Sequence, residues 1–398
     1  MLCENMKKTF LMVIFQVVLT WMPNVAAHAS EAPAAPLAAS SDNLPAANPK
    51  PDTGGFFVDG SKTMELAWKP GKHAVKQYVY FGNTAAEVLA SRNPIAASLA
   101  GDVTSIPFPV TRPVVGMTYF WRVATVNSDK IPPTAGDVWS VRIIPRKLRI
   151  YLLGGQSNAN GCTACDGLPD ELLGPQKNVI IFARGGIKLK EYGWDWLRDG
   201  LGAKLNDTGK GTFGPELTFG MEMSKARPGE VMGIIKCAWD ATNLGWSWRS
   251  PGAGDKVGSL YTKFIATMRE GIAALDPAFE PAFAGMLWMQ GESDSDNRKM
   301  ADDYAKNLTA FIKDIRAETQ QPDLPFVLGQ ISEARVWGPP RHGEIIRAAQ
   351  QEVAGTVPHT AMFPTADLKR GDRWHYDTAG MVVLGKRFAT AMLKLENK

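Results

Sequence analysis

Apolar residues in this chain follow two different rhythms. Between about Phe56 and Ile144 they come in short segments, Met64 to Trp68, Gln77 to Phe81, Thr118 to Val126 and Val138 to Ile144, separated by turn residues such as Pro70-Gly71. Regularly spaced short strands without a long helical period predict a small all-β sandwich. From Leu148 onward the runs become continuous, at Ile150 to Leu153, Val179 to Phe182, Val231 to Ile235, Phe283 to Met289 and Phe326 to Leu328. Such runs have the length and composition of strands buried on both faces. Helical stretches lie between them: Tyr304, Leu308, Phe311, Ile312 and Ile315 recur at three- and four-residue spacing, with Lys306, Lys313 and Asp314 elsewhere. Strands alternating with such segments predict an α/β domain, a parallel sheet covered by helices on both sides.

The first 55 residues fit neither rhythm. Lys7 and Lys8, an apolar stretch from Thr9 to Trp21 and the small residues around Ala27-His28-Ala29 predict a signal peptide over residues 1–29. Pro23 and the A-x-A ending favour its removal over its retention as an anchor, so the protein is expected to be exported to a periplasm or secreted, without stable membrane insertion. Residues 30–55, rich in Ala, Pro, Ser and Asn, read as a linker that cannot bury enough apolar surface to fold alone. The sandwich is then expected over 56–146 and the α/β domain over 147–398. With 398 residues, 45% of them hydrophobic, there is material for two cores. A net charge of only +4, with no long basic run, gives no footprint for nucleic-acid binding.

Chemistry is suggested first at Ile150 to Gly161, I-Y-L-L-G-G-Q-S-N-A-N-G, an apolar strand that stops at two glycines. A serine in such a turn sits at the carboxyl end of a strand, where open α/β sheets keep their ligand crevices. Ser157 is therefore the candidate nucleophile, although Gly, Ser and Asn are also ordinary turn residues. A serine hydroxyl needs a base, usually a histidine held by a carboxylate. Of five histidines, His28 would leave with the leader and His73 falls in the sandwich, and among His342, His359 and His375 only the last has a suitably spaced acid. In Asp372-Arg373-Trp374-His375 the carboxylate can hold one ring nitrogen while the other faces the serine; the bland alternative is a solvated loop charge and a surface histidine. Acyl transfer also needs donors for the developing oxyanion. The N–H of Ser157, an N–H left free at Gly214 in Phe213-Gly214-Pro215-Glu216-Leu217, and the amide of Gln290 at the end of a buried strand are the expected oxyanion hole.

G-Q-S-N, G-P-E-L, W-M-Q-G-E-S-D and D-x-x-H, in that order, resemble the blocks of the SGNH hydrolases, and more narrowly the sialate O-acetylesterase and acetylxylan esterase branch (carbohydrate esterase family 6-like), over Leu148 to Leu395. The resemblance implies a three-layer α/β/α, flavodoxin-like fold and a serine esterase with Ser157 as nucleophile, His375 as base and Asp372 as its orienting acid, Ser157, Gly214 and Gln290 forming the oxyanion hole. Some relatives give the glutamate of the third block a catalytic role, which makes Glu292 a candidate supporting acid, although a bracing role for Glu292 and Asp294 is the preferred reading. Asn158, Thr242 and Trp374 are expected at the substrate pocket. The chain departs from this branch at Ala238-Trp239-Asp240-Ala241-Thr242, where relatives carry A-x-G-G-T; the loss of both glycines and the added carboxylate bear on substrate choice. The β segment, with T-Y-F-W-R-V and G-D-V-W-S-V, resembles fibronectin type III-like modules, in which Trp121 and Trp139 would be core residues and the domain a spacer.

Cys162 and Cys165 close behind the nucleophile turn are expected to form a local disulfide in an exported protein, with pairing to Cys237 left open. A single C-x-x-C offers too few ligands for zinc, so no metal is expected. Trp239, Trp246, Trp248, Trp337 and Trp374 fall in expected strand-to-helix loops, where they either stack on sugars or pack beneath the loops. The reading that collects these observations is an exported serine carbohydrate O-acetylesterase, acting on an acetylated carbohydrate without a cofactor. The alternatives are an esterase for another small acyl group and a non-catalytic glycan-binding protein.

Overall fold

The computed structural model describes residues 45–127, 133–185, 192–202, 211–332 and 342–397. The expected leader, residues 30–44 of the expected linker and Trp337 lie outside these. The first strands are β1 (Ala47–Lys50), β2 (Gly55–Val58), β3 (Glu65–Lys69), β4 (Lys76–Gly82), β5 (Ala96–Ala100), β6 (Ser105–Pro107), β7 (Thr118–Val126), β8 (Thr134–Ala135) and β9 (Trp139–Ile144), with helix α1 (Ala85–Ala90) after β4. They form two sheets, ordered β1-β3-β6 and β2-β9-β7-β4-β5, with β8 on β7. Leu66 and Trp68 of one sheet meet Val79, Trp121, Val141 and Ile143 of the other in a common core, the arrangement of a small sandwich. Trp121 and Trp139 pack edge to face at 4.6 Å inside it.

Strand structure is found earlier in the chain than the composition suggested. Ala47–Lys50, within the expected linker, pairs antiparallel with β3, and Gly55–Val58 pairs parallel with β9. Most side chains of β1 are exposed, so no apolar alternation announces it; backbone pairing alone makes it a strand.

The second part of the chain adds β10 (Lys147–Gly155), α2 (Ser157–Asn160), β11 (Thr163–Ala164), β12 (Val179–Gly185), β13 (Tyr192–Trp196), β14 (Thr212–Phe213), α3 (Glu216–Ala226), β15 (Val231–Ala238), α4 (Ser259–Ala273), β16 (Glu280–Met289), α5 (Arg298–Asp302), α6 (Tyr304–Glu318), β17 (Phe326–Gly329), α7 (Gly343–Thr356), β18 (Thr360–Phe363) and α8 (Thr378–Glu396). The main sheet has the order β13-β12-β15-β10-β16-β17-β18. All its neighbours are parallel except the edge strand β13, antiparallel to β12. Alternate residues divide between two cores, as the two-residue period of a strand requires. Ile150, Leu152, Ile235, Met286 and Trp288 face α4, α6 and α7. Tyr151, Leu153, Ile234, Leu287 and Met289 face α3 and α8. The result is the expected three-layer α/β/α sheet. β10 lies at its centre, which is why its sequence is apolar at consecutive positions.

Candidate active site

The central strand ends in a turn that only glycine can make. Gly155 has φ +137°, and a Cβ there would lie 2.1 Å from the Met289 carbonyl oxygen. The Gln156 N–H donates to that same oxygen at 3.0 Å, tying the turn to the end of β16. Gln156 is extended, and Ser157 then opens the short helix α2, which Gly161 terminates in the left-handed region at φ +89°. Ser157 thus stands at the carboxyl end of the central strand and at a helix N-terminus, 8% exposed. Its N–H belongs to the first-turn donors that have no intrahelical acceptor.

The loop carrying His375 is fastened to the residue next to Ser157. Asn158 Nδ2 donates to the Trp374 carbonyl at 3.2 Å, and Asn158 Oδ1 accepts from the Tyr376 N–H at 3.4 Å, so one side chain grips the backbone on both sides of His375. Within the loop, Asp372 Oδ2 lies 2.7 Å from His375 Nδ1. Asp372 Oδ1 accepts the N–H groups of Trp374 and His375 at 2.6 and 2.7 Å. Desolvation alone would raise the Asp372 carboxyl, but the hydrogen bonds from the His375 ring and the two N–H groups outweigh it and hold it below its ordinary value. Ser157, His375 and Asp372 are therefore brought to one loop cluster, with Nδ1 of the histidine engaged by the acid.

The two further donors expected for an oxyanion are already engaged. The Gly214 N–H, read from the sequence as free, donates to Glu216 Oε1 at 3.0 Å. Gln290 is fully buried, and its Nε2 faces Asp294 Oδ2 at 2.6 Å, the Thr242 carbonyl at 3.0 Å and Gln156 Oε1 at 3.3 Å. An amide nitrogen has two hydrogens, so three acceptors leave none to spare. Both engagements follow from acceptors that are remote in the sequence or folded back on a helix start, which a linear motif does not reveal. Of the expected oxyanion hole, the Ser157 N–H is the donor these contacts leave unengaged.

Carboxylates of the third block brace the cluster. Glu292 Oε1 accepts from Asn158 Nδ2 at 3.4 Å. Burial pushes the Glu292 carboxyl up, against a backbone hydrogen bond, the Asn158 hydrogen bond and the nearby His375 and Arg370 charges, which pull it down. Asp294 accepts from Leu244 N and Gly245 N at 2.7 and 2.8 Å, and burial raises it to about 6 despite these bonds and that from Gln290. Asp240, the carboxylate that replaces a glycine, accepts from Asn160 Nδ2 at 2.8 Å and lies 3.6 Å from the Cys162 sulfur.

The expected disulfide is absent: Cys162, Cys165 and Cys237 are all free thiols. Thr163–Ala164 between the first two is extended as β11, and three residues of extended chain span about 10 Å and turn the end residues to opposite faces, beyond the reach of a disulfide. Cys165 and Cys237 are buried, and desolvation pushes both thiols up to about 11.

The pocket candidates divide. Asn158 is only 3% exposed and is occupied by its clamp. Thr242 donates to the Trp239 carbonyl and accepts from Trp248 Nε1, both at 2.8 Å, so its hydroxyl also braces a loop. Trp374 keeps 37% of its surface exposed beside His375. Trp248, in the loop between β15 and α4, is fully buried against Trp288 and Phe264 and packs beneath that loop.

One pair escaped the sequence reading: Lys236, on β15, meets Glu216 Oε1 at 2.9 Å with both side chains buried. A lysine inside the apolar run V-M-G-I-I-K-C-A was the available signal, since a buried ammonium demands a buried partner. Through Glu216 this pair fixes the Gly214 segment, and a Cβ on Gly161 would come within 2.6 Å of Gly214 N, so the segment packs directly against the end of the nucleophile helix. Among the described residues, no group of three or more His, Cys, Asp or Glu side chains is placed to hold a metal ion. No helix among them is long and apolar enough to cross a membrane.

Residues 147–394 match the family model described as carbohydrate esterase, sialic acid-specific acetylesterase. No curated protein matches the chain. Among solved structures, the chain is similar to a protein from Arabidopsis thaliana at 22% identity, over 62% of this chain and 98% of that one, with a TM-score of 0.49. It is also similar to a carbohydrate acetylesterase from Xanthomonas citri, at 19% identity over 89% and 75% of the two chains with a TM-score of 0.47. A third similarity is to NanS, at 17% identity over 64% and 98% with a TM-score of 0.49.

Proposed function

Since the chain belongs to the family of carbohydrate esterases described as sialic acid-specific acetylesterases, we propose that it removes acetyl groups from a carbohydrate through an acetyl-serine intermediate on Ser157. The observation that carries this reading is the Asn158 clamp: the residue after the serine grips Trp374 and Tyr376, so the histidine between them is held against the nucleophile turn. With Nδ1 bound by Asp372, Nε2 is the nitrogen left to act as base.

His375 Nε2 takes the Ser157 proton as Oγ attacks the acetyl carbonyl. The developing oxyanion meets the Ser157 N–H. Collapse of the tetrahedral intermediate breaks the ester bond, and the sugar hydroxyl departs with the proton from His375. Water, deprotonated by the same nitrogen, then attacks the acetyl-serine and releases acetate. Asp372 stabilises the imidazolium in both steps, Glu292 and Asn158 hold the geometry, and Gln290 supports the turn through Gln156. Residues 1–29 would export the enzyme, and the sandwich would serve as a fibronectin type III-like spacer.

The test is acetate release by the full chain and its Ser157→Ala variant from acetylated xylan, O-acetyl sialic acids and an aryl acetate. We expect the variant to lose about 10³-fold or more of the activity. Unchanged turnover in the variant, or no release from any of the three by folded wild-type protein, would overturn the proposal.

A further inference from the structure

Six of the ten tryptophans among the described residues, Trp68, Trp121, Trp139, Trp196, Trp248 and Trp288, are buried packing residues. Two among the described residues are largely open, Trp246 at 60% and Trp374 at 37% exposure. Scattered surface apolar residues are normal, so exposure alone carries no argument. The mounting of Trp246 does.

The loop that follows β15 is held rigidly at each residue around this indole. Asn243 Oδ1 accepts from Trp246 N and Ser247 N at 2.9 and 3.1 Å. The fully buried Asp294 accepts from the two residues before it, Leu244 and Gly245. Two residues after it, Trp248 is inserted edge-on against Trp288 at 5.3 Å. A buried carboxylate and a buried indole therefore anchor the loop on either side of a tryptophan that points to solvent. A slack loop would lose ordering entropy on gripping a ligand; this one has already lost it.

The anchor also leads to the reacting centre. Asp294 binds Gln290 Nε2, which reaches Gln156 Oε1, the residue before Ser157. On the other side Asn158, the residue after Ser157, holds the carbonyl of Trp374. The two exposed indoles are thus mounted on side-chain chains that start from the two neighbours of the nucleophile.

We propose that Trp246 is an aromatic platform for a second sugar ring, so that the substrate class of this site is an acetylated oligosaccharide or polysaccharide and not an acetylated monosaccharide. This rests on the serine esterase reading above. A pyranose presents an apolar face of C–H groups with hydroxyls at its rim, which matches an indole that is apolar in the body and polar at one edge. The ring bearing the acetyl group occupies the crevice at Ser157, and its glycosidic neighbour lies on Trp246.

The experiment compares kcat/KM of the full chain on acetylated xylo-oligosaccharides and manno-oligosaccharides of one to six residues, with an aryl acetate as a measure of the esterase chemistry alone. Wild-type protein should favour the hexamer over the monomer in at least one series. Trp246→Ala should lower that hexamer-to-monomer ratio roughly three- to ten-fold, mainly through KM, and Trp246→Phe should restore most of it. A wild-type ratio near one in both series, or a ratio in Trp246→Ala equal to that of wild type, would overturn the platform. Aryl acetate turnover that depends on Ser157 would leave the esterase reading standing in either case, whereas its absence would remove that reading itself.

Discussion

Ala241 shows at the scale of one residue how a departure from a motif is absorbed. It stands where the resemblance drawn from the sequence leads one to expect glycine, and its φ is +53°, the left-handed conformation that glycine adopts freely and a Cβ disfavours. The Ala241 methyl group is held there at the cost of backbone strain. Ala241→Gly should therefore raise stability by about 0.5–1 kcal/mol, less than the full strain because glycine also gains freedom in the unfolded chain. Urea unfolding of the two proteins checks this, and an equal or lower midpoint for the variant would refute it. The Asp372–His375 spacing was legible at this scale because both partners lie within one turn. The engagement of Gly214 by Glu216, and of Gln290 by Asp294, was not, because which acceptor a donor meets depends on how the loops fold back.

At the scale of elements, the site is a junction between the ends of β10, β15 and β16 and the loop before α8. Asp294 is the main tie between the β15 loop and β16, and it sits in a place that disfavours its charge. Its folded pKa of about 6 lies above the ordinary 3.8. A carboxyl raised in this way contributes its full stability below pH 3.8 and loses it as pH rises through about 6. Between pH 4 and pH 7 the stability difference between wild type and Asp294→Asn should shift by up to about 3 kcal/mol in favour of the variant. Denaturant midpoints of both proteins across that range provide the measurement, and a difference independent of pH would show that the charge is not penalised. The strands of this junction could be placed from their apolar runs. The edge strands β13 and β18 escaped notice, being short segments that continuous burial does not mark.

At the scale of the whole molecule, the sandwich and the α/β layers are joined by side chains, not only by the two residues between β9 and β10. Val58 and Ile144 of the sandwich belong to the same apolar cluster as Leu148, Trp196 and Phe279. Phe56 lies 5.0 Å from Trp196 and 6.4 Å from Phe279, ring to ring. Trp196 Nε1 donates to the Gly54 carbonyl at 2.5 Å, and Ser61 Oγ to Asp276 Oδ2 at 2.7 Å. A shared apolar core couples the unfolding of the parts that share it. Calorimetry of the full chain should accordingly give one cooperative transition; two resolved peaks would mean that the shared cluster is too weak to couple them.

Apolar periodicity determined the two kinds of sheet, and turn residues and motif spacing picked out the candidate serine, histidine and aspartate, because strand burial and a three-residue loop spacing are local properties written directly in residue order. Tertiary structure decided the rest. It turned an expected disulfide into free thiols by extending the chain between them, gave Asn158 the task of gripping the histidine loop, buried Lys236 against Glu216, and left Trp246 open while burying Trp248. Each of these depends on which groups distant in the chain come within a few ångströms, and hydrogen bonds and buried charges are decided at that range.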